Sequence, residues 1–342
     1  MIWIRADANS NIGTGHMMRC MSIGHALREC GQEVCFLLAD ASAAKLLESR
    51  GFSYRVLHTD YQDMESELPK LCKWLAENAV SWLLVDSYYV TREYLMQVRS
   101  YTRTAYVDDM NAFPYPVDLL INYNIYGDML PYREQAPLPD TRFLLGTDYV
   151  PLREEFKQVE YSVREQGEHV LITTGGSDLY HLAGQLLEKA LQKEETRNLH
   201  YHVVSGAFNK NLPALLTLEA QYPNVHIYQN VTNMAELMRQ CDVAVSAGGS
   251  TMYELCAVGV PIICFSFVDN QEQIVQTFVG REVVCYGGNY LLQKEGLLDD
   301  IVKQLALLTG QKEIREKYSV KQRQLVDGHG AMRIARELCY QE

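Results

Sequence analysis

A histidine stands at the end of a glycine-containing loop close to the start of the chain. The stretch Arg5-Ala6-Asp7-Ala8-Asn9-Ser10-Asn11-Ile12-Gly13-Thr14-Gly15-His16 joins an apolar strand at 1–5 to a helix expected over 16–30. Gly13 and Gly15 permit a tight turn and a close backbone approach to a ligand. His16 falls in the first helical turn, where the macrodipole disfavours a second positive charge. A neutral imidazole there can accept a proton near neutral pH, which is what general-base chemistry requires. The plainer alternative is that the glycines only shape the turn and His16 is a hydrogen-bonded helix-start residue. Asp7, Asn9 and Ser10 weigh towards a site, because they bring three more polar groups to the same strand end. The spacing is a poor dinucleotide fingerprint, since Met18 stands where a third glycine belongs.

Two further glycine loops lie in the second half of the chain. Ser246-Ala247-Gly248-Gly249-Ser250-Thr251-Met252-Tyr253-Glu254 follows one strand, and Gly175-Gly176-Ser177-Asp178 follows another. Paired glycines and hydroxyl residues before a helix offer free N–H donors to a phosphate, and the helix dipole adds to the attraction. Two such loops in one sheet can hold a diphosphate, although neither has the lysine of a P-loop. Helix capping by Ser177 or Ser250 is the alternative. Glu254 lies one turn beyond Ser250 and is placed to accept two ribose hydroxyls; a solvated helix acid is the commoner fate. Asp269-Asn270-Gln271 follows the strand at 262–265, and its two amides suit sugar hydroxyls or N-acyl groups.

These loops need strand ends to hold them. Short apolar runs at 1–5, 33–38, 82–85, 104–107 and 119–121 alternate with helical patterns near 16–30, 41–50 and 62–79. A second series of strands reads at 169–174, 200–204, 225–228, 243–246 and 262–265. Such alternation predicts an α/β protein with parallel sheets covered on both faces. Between 123 and 150 prolines and glycines replace the periodicity, so residues 1–145 and 146–342 are expected to form two Rossmann-like, doubly wound domains facing a central cleft. The last forty residues read as helical and charged, a segment able to cross back over the junction.

With 342 residues, 47% hydrophobic and 22% charged, the chain has ordinary globular composition. A net charge of −12 argues against a nucleic-acid partner. Nine scattered cysteines without paired spacing predict neither a disulfide framework nor a zinc site, but buried thiols in a cytoplasmic protein. No apolar run is long enough to span a bilayer, and no stable membrane association is expected.

The arrangement S-A-G-G-S-T-x-x-E-L, then G-V-P, then D-N-Q resembles the nucleotide-sugar half of the GT-B superfamily. The N-terminal R-x-D-x-x-x-x-I-G-x-G-H-x-x-R-C is more discriminating. It resembles the UDP-2,4-diacetamido-2,4,6-trideoxy-β-L-altropyranose hydrolases of pseudaminic acid biosynthesis and the related spore-coat polysaccharide proteins. The likeness extends through Val85-Asp86-Ser87-Tyr88, Val107-Asp108-Asp109 and Leu152-Arg153-Glu154-Glu155-Phe156. It implies a GT-B-like fold, a UDP-sugar substrate and no metal or other cofactor. His16 is then the base that activates water for inverting attack at the sugar C1, and Tyr88 orients water or sugar. Asp7, Asn9, Gly13 and Gly15 shape the sugar-side pocket with Asn270 and Gln271. Gly175, Gly176, Ser177, Ala247, Gly248, Gly249, Ser250 and Thr251 serve the diphosphate, Glu254 the ribose, and Arg153 the nucleotide or a hinge ion pair. Ser87 departs from the pattern, standing where a family member carries histidine. Two other readings share the same loops: an inverting UDP-sugar glycosyltransferase, with a hydroxyl acceptor in place of water, and a UDP-sugar-binding protein without turnover. The tyrosine-rich, acidic first half has no basic amphipathic helix, which disfavours a lipid acceptor.

Overall fold

The computed structural model describes residues 1–340 except Ser10 and Ala207; the side chains of Asn270 and Glu295 also fall outside the description. The chain forms two compact units, residues 1–153 with 329–342, and residues 154–328. The division falls after Arg153 rather than Leu145, and the segment from His329 belongs to the first unit.

The first unit holds seven strands: β1 (Ile2–Ala6), β2 (Val34–Leu38), β3 (Ser53–Val56), β4 (Trp82–Asp86), β5 (Arg103–Val107), β6 (Leu119–Asn122) and β7 (Arg142–Leu145). Their order is β3-β2-β1-β4-β5-β6-β7, and every pairing is parallel. β7 lies inside the stretch read from sequence as a proline-rich linker. Its four residues Arg-Phe-Leu-Leu are too few to show a period, and pairing with β6 makes them a strand. Alternation along β1 divides its side chains between two cores. Ile2, Ile4 and Ala6 pack with Met17, Cys20, Ile23 and Leu27 of helix α1 (Gly15–Glu29). Trp3 joins Leu71, Leu75, Leu83 and Val85 on the opposite face. Beside Trp3, the buried Arg5 gives Nε and Nη2 to Glu67 at 2.8–3.0 Å and Nη1 to Asp7 at 2.5 Å. The helix Gly330–Cys339 lays Ala331, Ile334, Ala335 and Leu338 into the same core as α1.

The second unit repeats the design with β8 (His169–Thr173), β9 (His200–Ser205), β10 (Val225–Gln229), β11 (Val243–Ala247), β12 (Ile262–Ser266) and β13 (Cys285–Asn289). The order is β10-β9-β8-β11-β12-β13, again all parallel. Val170, Ile172, Val203 and Val245 pack beneath Leu186 and Leu187 of the helix Leu182–Gln192 and Ile301 and Leu305 of the helix Glu295–Gly310. In both sheets the winding direction reverses beside the first strand, between β1 and β4 and between β8 and β11. Doubly wound sheets open a crevice at that point, outside the carboxyl ends of the strands.

Candidate active site

The β1-to-α1 loop and the end of β4 meet at the first switch point. Ala6 is in register with Asp86, so the last residue of β4 faces the loop that carries His16. Gly13, at φ +72°, donates its N–H to the Asn9 carbonyl, while Asn9 Oδ1 accepts from the N–H groups of Asn11 and Ile12. These bonds close the loop and deliver His16 to the second position of α1. Asp7 is absorbed in the same framework: one oxygen meets Arg5 and the other accepts the Ala39 N–H at 2.8 Å. Asp7 and Asn9 thus hold the loop in shape through their own side chains.

His16 is 5% exposed, and its Nδ1 lies 2.6 Å from Asp86 Oδ1. Asp86 also takes Arg19 Nε at 2.6 Å, Arg19 Nη2 at 2.5 Å and the Cys20 thiol at 3.3 Å. Burial opposes the charge on Asp86, yet Arg19 and then His16 hold its carboxyl well below the usual carboxylate range. His16 Nδ1 lies 3.0 Å from Arg19 Nη2 as well, but the carboxylate at 2.6 Å is the shorter contact and takes the Nδ1 proton. The neutral ring then carries its lone pair on Nε2, a tautomer assigned from the hydrogen-bond network. Arg19 continues outward to Tyr123 Oη at 2.8 Å and Asp109 at 3.4 Å. Asp109 accepts the Tyr88 hydroxyl at 3.1 Å. The Tyr88 ring meets His16 edge to face, with centroids 4.4 Å apart. Burial, then Asp109, pushes the Tyr88 hydroxyl above the ordinary phenol range, so it acts as a neutral donor.

Asp7, Ile12, His16, Tyr61, Asp86, Ser87, Tyr88 and Tyr89 line a cavity of about 10 Å³, roughly the room of one water molecule, which is open to solvent on the side of the half-exposed Tyr88. Of the first-half residues singled out from sequence, the fold brings Asp7, His16 and Tyr88 to this cavity. Gly15 opens α1, and an added Cβ there would meet nothing within 4 Å. Sequence reasoning gave no role to Asp86, Arg19, Asp109, Tyr61 or Tyr89. Asp86 and Asp109 carried a signal: both are acids at the carboxyl ends of apolar runs in a parallel sheet.

At the second switch point, Gly175, Gly176 and Ser177 are exposed and Asp178 is buried. Asp178, not Ser177, holds the next helix, accepting the N–H groups of Leu182 at 2.8 Å and Ala183 at 3.3 Å. Ser250 likewise makes no side-chain cap on the helix Thr251–Val258. The capping alternative fails for both hydroxyls. Among the described residues, the N–H groups of Gly249, Ser250 and Thr251 find no backbone acceptor, whereas Gly248 donates to Phe265 at 2.9 Å. A Cβ at Gly248 would press on Val275 at 2.6 Å, but one at Gly249 would meet no protein atom within 4 Å. Packing therefore accounts for the first glycine and not for the second. Ala247 ends β11, and Glu254 lies half-buried one turn into the helix. Gln271 spends its Oε1 on the Phe267 N–H at 3.0 Å, keeping its amide nitrogen for other partners. The Asn270 side chain lies outside the described residues. Arg153 is half-buried at the last position of the first unit's long segment.

Two units of doubly wound parallel sheet, each with polar loops at its switch point, define the GT-B class of fold. The crystal structure of Acinetobacter baumannii MurG superposes over 99% of both chains with a TM-score of 0.66 at 13% identity. A glycosyltransferase family 28 C-terminal domain matches residues 169–329. The spore coat polysaccharide biosynthesis protein SpsG of Bacillus subtilis is 25% identical over 340 residues, covering 97% of this chain and 96% of that protein. The UDP-2,4-diacetamido-2,4,6-trideoxy-beta-L-altropyranose hydrolase of Campylobacter jejuni is 23% identical over 273 residues, 79% of this chain and 93% of that enzyme. An uncharacterized protein of Methanocaldococcus jannaschii is 26% identical over 275 residues, 77% of this chain but 54% of that relative, so the chain spans about half its length. The chain is related to the spore-coat protein and the hydrolase, and the resemblance read from its motifs is one of homology. No helix among the described residues is long and apolar enough to cross a membrane.

Proposed function

We propose that the protein is a hydrolase that removes UDP from a UDP-linked 2,4-diacetamido-2,4,6-trideoxy sugar, in the formation of pseudaminic-type nonulosonic acids. The observation that carries the reading is the one-water cavity beside a histidine whose Nδ1 proton is fixed by Asp86. Water placed there gives its proton to Nε2 as its oxygen bonds to the sugar C1. The bond from C1 to the β-phosphate oxygen breaks with inversion, and UDP departs with the electron pair. Asp86 stabilises the imidazolium that forms, and Tyr88 fixes the ring. The leaving diphosphate meets the N–H groups of Gly249, Ser250 and Thr251 at a helix start, oriented dipoles of the kind that dominate stabilisation of developing charge. Gly175, Gly176 and Ser177 border the same phosphates, Glu254 takes the ribose, Arg153 the nucleotide, and Asn270 and Gln271 the sugar amides. The named activity of the Campylobacter jejuni relative supports this substrate class.

Proton NMR of the protein with UDP-2,4-diacetamido-2,4,6-trideoxy-β-L-altropyranose tests the reading. UDP and free sugar should appear in the absence of any acceptor and should fail to appear with His16→Ala. Equal rates with and without His16 would refute the mechanism. UDP release that depends on an added hydroxyl compound would show a transferase instead.

A further inference from the structure

Imidazole takes a proton from an alcohol as readily as from water, so His16 alone gives no reason for water to be the nucleophile. The selection has to come from the walls of the cavity. Tyr61 reaches it from the loop after β3, and Tyr89 from the loop after β4. Their rings meet edge to face with centroids 5.5 Å apart. Each is tied at its hydroxyl: Asn11 Nδ2 donates to Tyr61 at 3.2 Å, and Gln62 Nε2 donates to Tyr89 at 3.3 Å. The Tyr89 N–H donates in turn to Ser87 Oγ at 3.2 Å. Three loops are thereby fastened around a space of about 10 Å³, which a single water fills.

We propose that Tyr61 and Tyr89 are specificity residues for the nucleophile: their paired rings confine the site beside His16 to water and shut out alcohols. The inference rests on the hydrolase reading and extends it from the sugar to the acceptor. If the wall is opened, methanol can occupy the site. Its oxygen then bonds to C1, its hydroxyl proton passes to His16 and UDP leaves, which gives a methyl glycoside in place of the free sugar. Methanol exceeds water by one methyl group, and a single methyl or methylene is the scale on which a tight pocket discriminates by about tenfold or more.

The experiment follows UDP-2,4-diacetamido-2,4,6-trideoxy-β-L-altropyranose by NMR in buffer containing methanol, counting UDP, free sugar and methyl glycoside separately. The unaltered protein should yield UDP and free sugar with scarcely any methyl glycoside. Tyr61→Ala and Tyr89→Ala should each still release UDP, with the share of methyl glycoside raised about tenfold. Tyr61→Phe, which keeps the ring and loses only the bond to Asn11, should remain specific for water. Circular dichroism confirms folding of each variant, and Tyr89→Leu decides the matter if an alanine variant unfolds. Methyl glycoside formed by the unaltered protein in proportion to the methanol present would overturn the inference. So would opened variants that release UDP yet give free sugar alone. Absence of UDP release from the unaltered protein would overturn the hydrolase reading and the acceptor wall with it, an outcome that the separate UDP count distinguishes.

Discussion

Replacing Asp86 by asparagine changes two atoms' chemistry and almost no volume. The carboxylate now receives His16 Nδ1, Arg19 Nε, Arg19 Nη2 and the Cys20 thiol, all within 3.3 Å and all donors. Asparagine offers one oxygen and one NH₂ group, so one side of it must turn a donor towards a donor. If the NH₂ faces His16, the ring keeps its Nδ1 lone pair and moves the proton to Nε2, where it can no longer act as a base. If the NH₂ takes the other oxygen's place it faces Arg19 Nε and the Cys20 thiol, and in either orientation the buried guanidinium loses this counter-charge. Breaking a buried pair in this way costs about 3–5 kcal/mol, of which the continuing contacts from Arg19 to Asp109 and Tyr123 should recover a part. Loss of a positioned base costs about 10²- to 10⁴-fold in rate. Asp86→Asn should therefore melt earlier and, in its folded fraction, release UDP about 10²-fold more slowly or worse. Rates scaled to the folded fraction from circular dichroism separate the two effects. A folded Asp86→Asn protein that releases UDP at the unaltered rate would refute the assignment of Asp86 and of the His16 tautomer.

Three other outcomes follow from the same structure. His169, His200, His202 and His226 form a ladder across β8, β9 and β10, with His202 Nε2 3.0 Å from His169 Nδ1 and His202 Nδ1 3.0 Å from the Tyr228 hydroxyl. Burial, then His169, His226 and His200, push His202 down to about 4 from 6.5. The folded state thus refuses a proton that the unfolded chain binds. Stability of the second unit should be full above pH 6.5 and fall by about 3 kcal/mol towards pH 4, a slope that His202→Phe flattens in pH-dependent urea melts; an unchanged slope would rule the ladder out as its source. Gly248→Ala should cost about 1–3 kcal/mol by crowding Val275. Gly249→Ala should leave the melting temperature unchanged while weakening UDP binding about tenfold, as calorimetry would register, because its Cβ meets no protein and obstructs only a ligand.

How far the sequence could be read depended on how far each feature reaches along the chain. The two glycine loops of the second half and the His16 loop each announce themselves within a dozen contiguous residues, and all three sit at switch points. β3, β7 and β13 were not legible, since Ser53–Val56 and Arg142–Leu145 are short and Cys285–Asn289 contains two glycines. Their strand character comes from pairing with β2, β6 and β12. The partner of His16 lies 70 residues away, and only the neighbouring of β1 and β4 brings the two together. The acceptor wall is more remote still, because Tyr61 and Tyr89 acquire meaning only once three separate loops close on one space. Ser177 and Ser250 show the converse: both have the residue type of a cap, but Asp178 accepts the two N–H groups at the one helix start and the other keeps its amides open.

The helix Gly330–Cys339 lies against α1, the element that carries His16, and shares its core. The first unit is therefore discontinuous in the chain. A nascent polypeptide that has already produced β1 to β7 still lacks one wall of that core until residues 329–340 leave the ribosome. Domains that fold as they emerge usually finish in order from the N-terminus; here the second unit, continuous in sequence, can finish first. A chain interrupted anywhere before His329 would leave in water the part of the α1 core that this helix covers. Synthesis of residues 330–339 is thereby tied to the packing of the helix on which His16 stands.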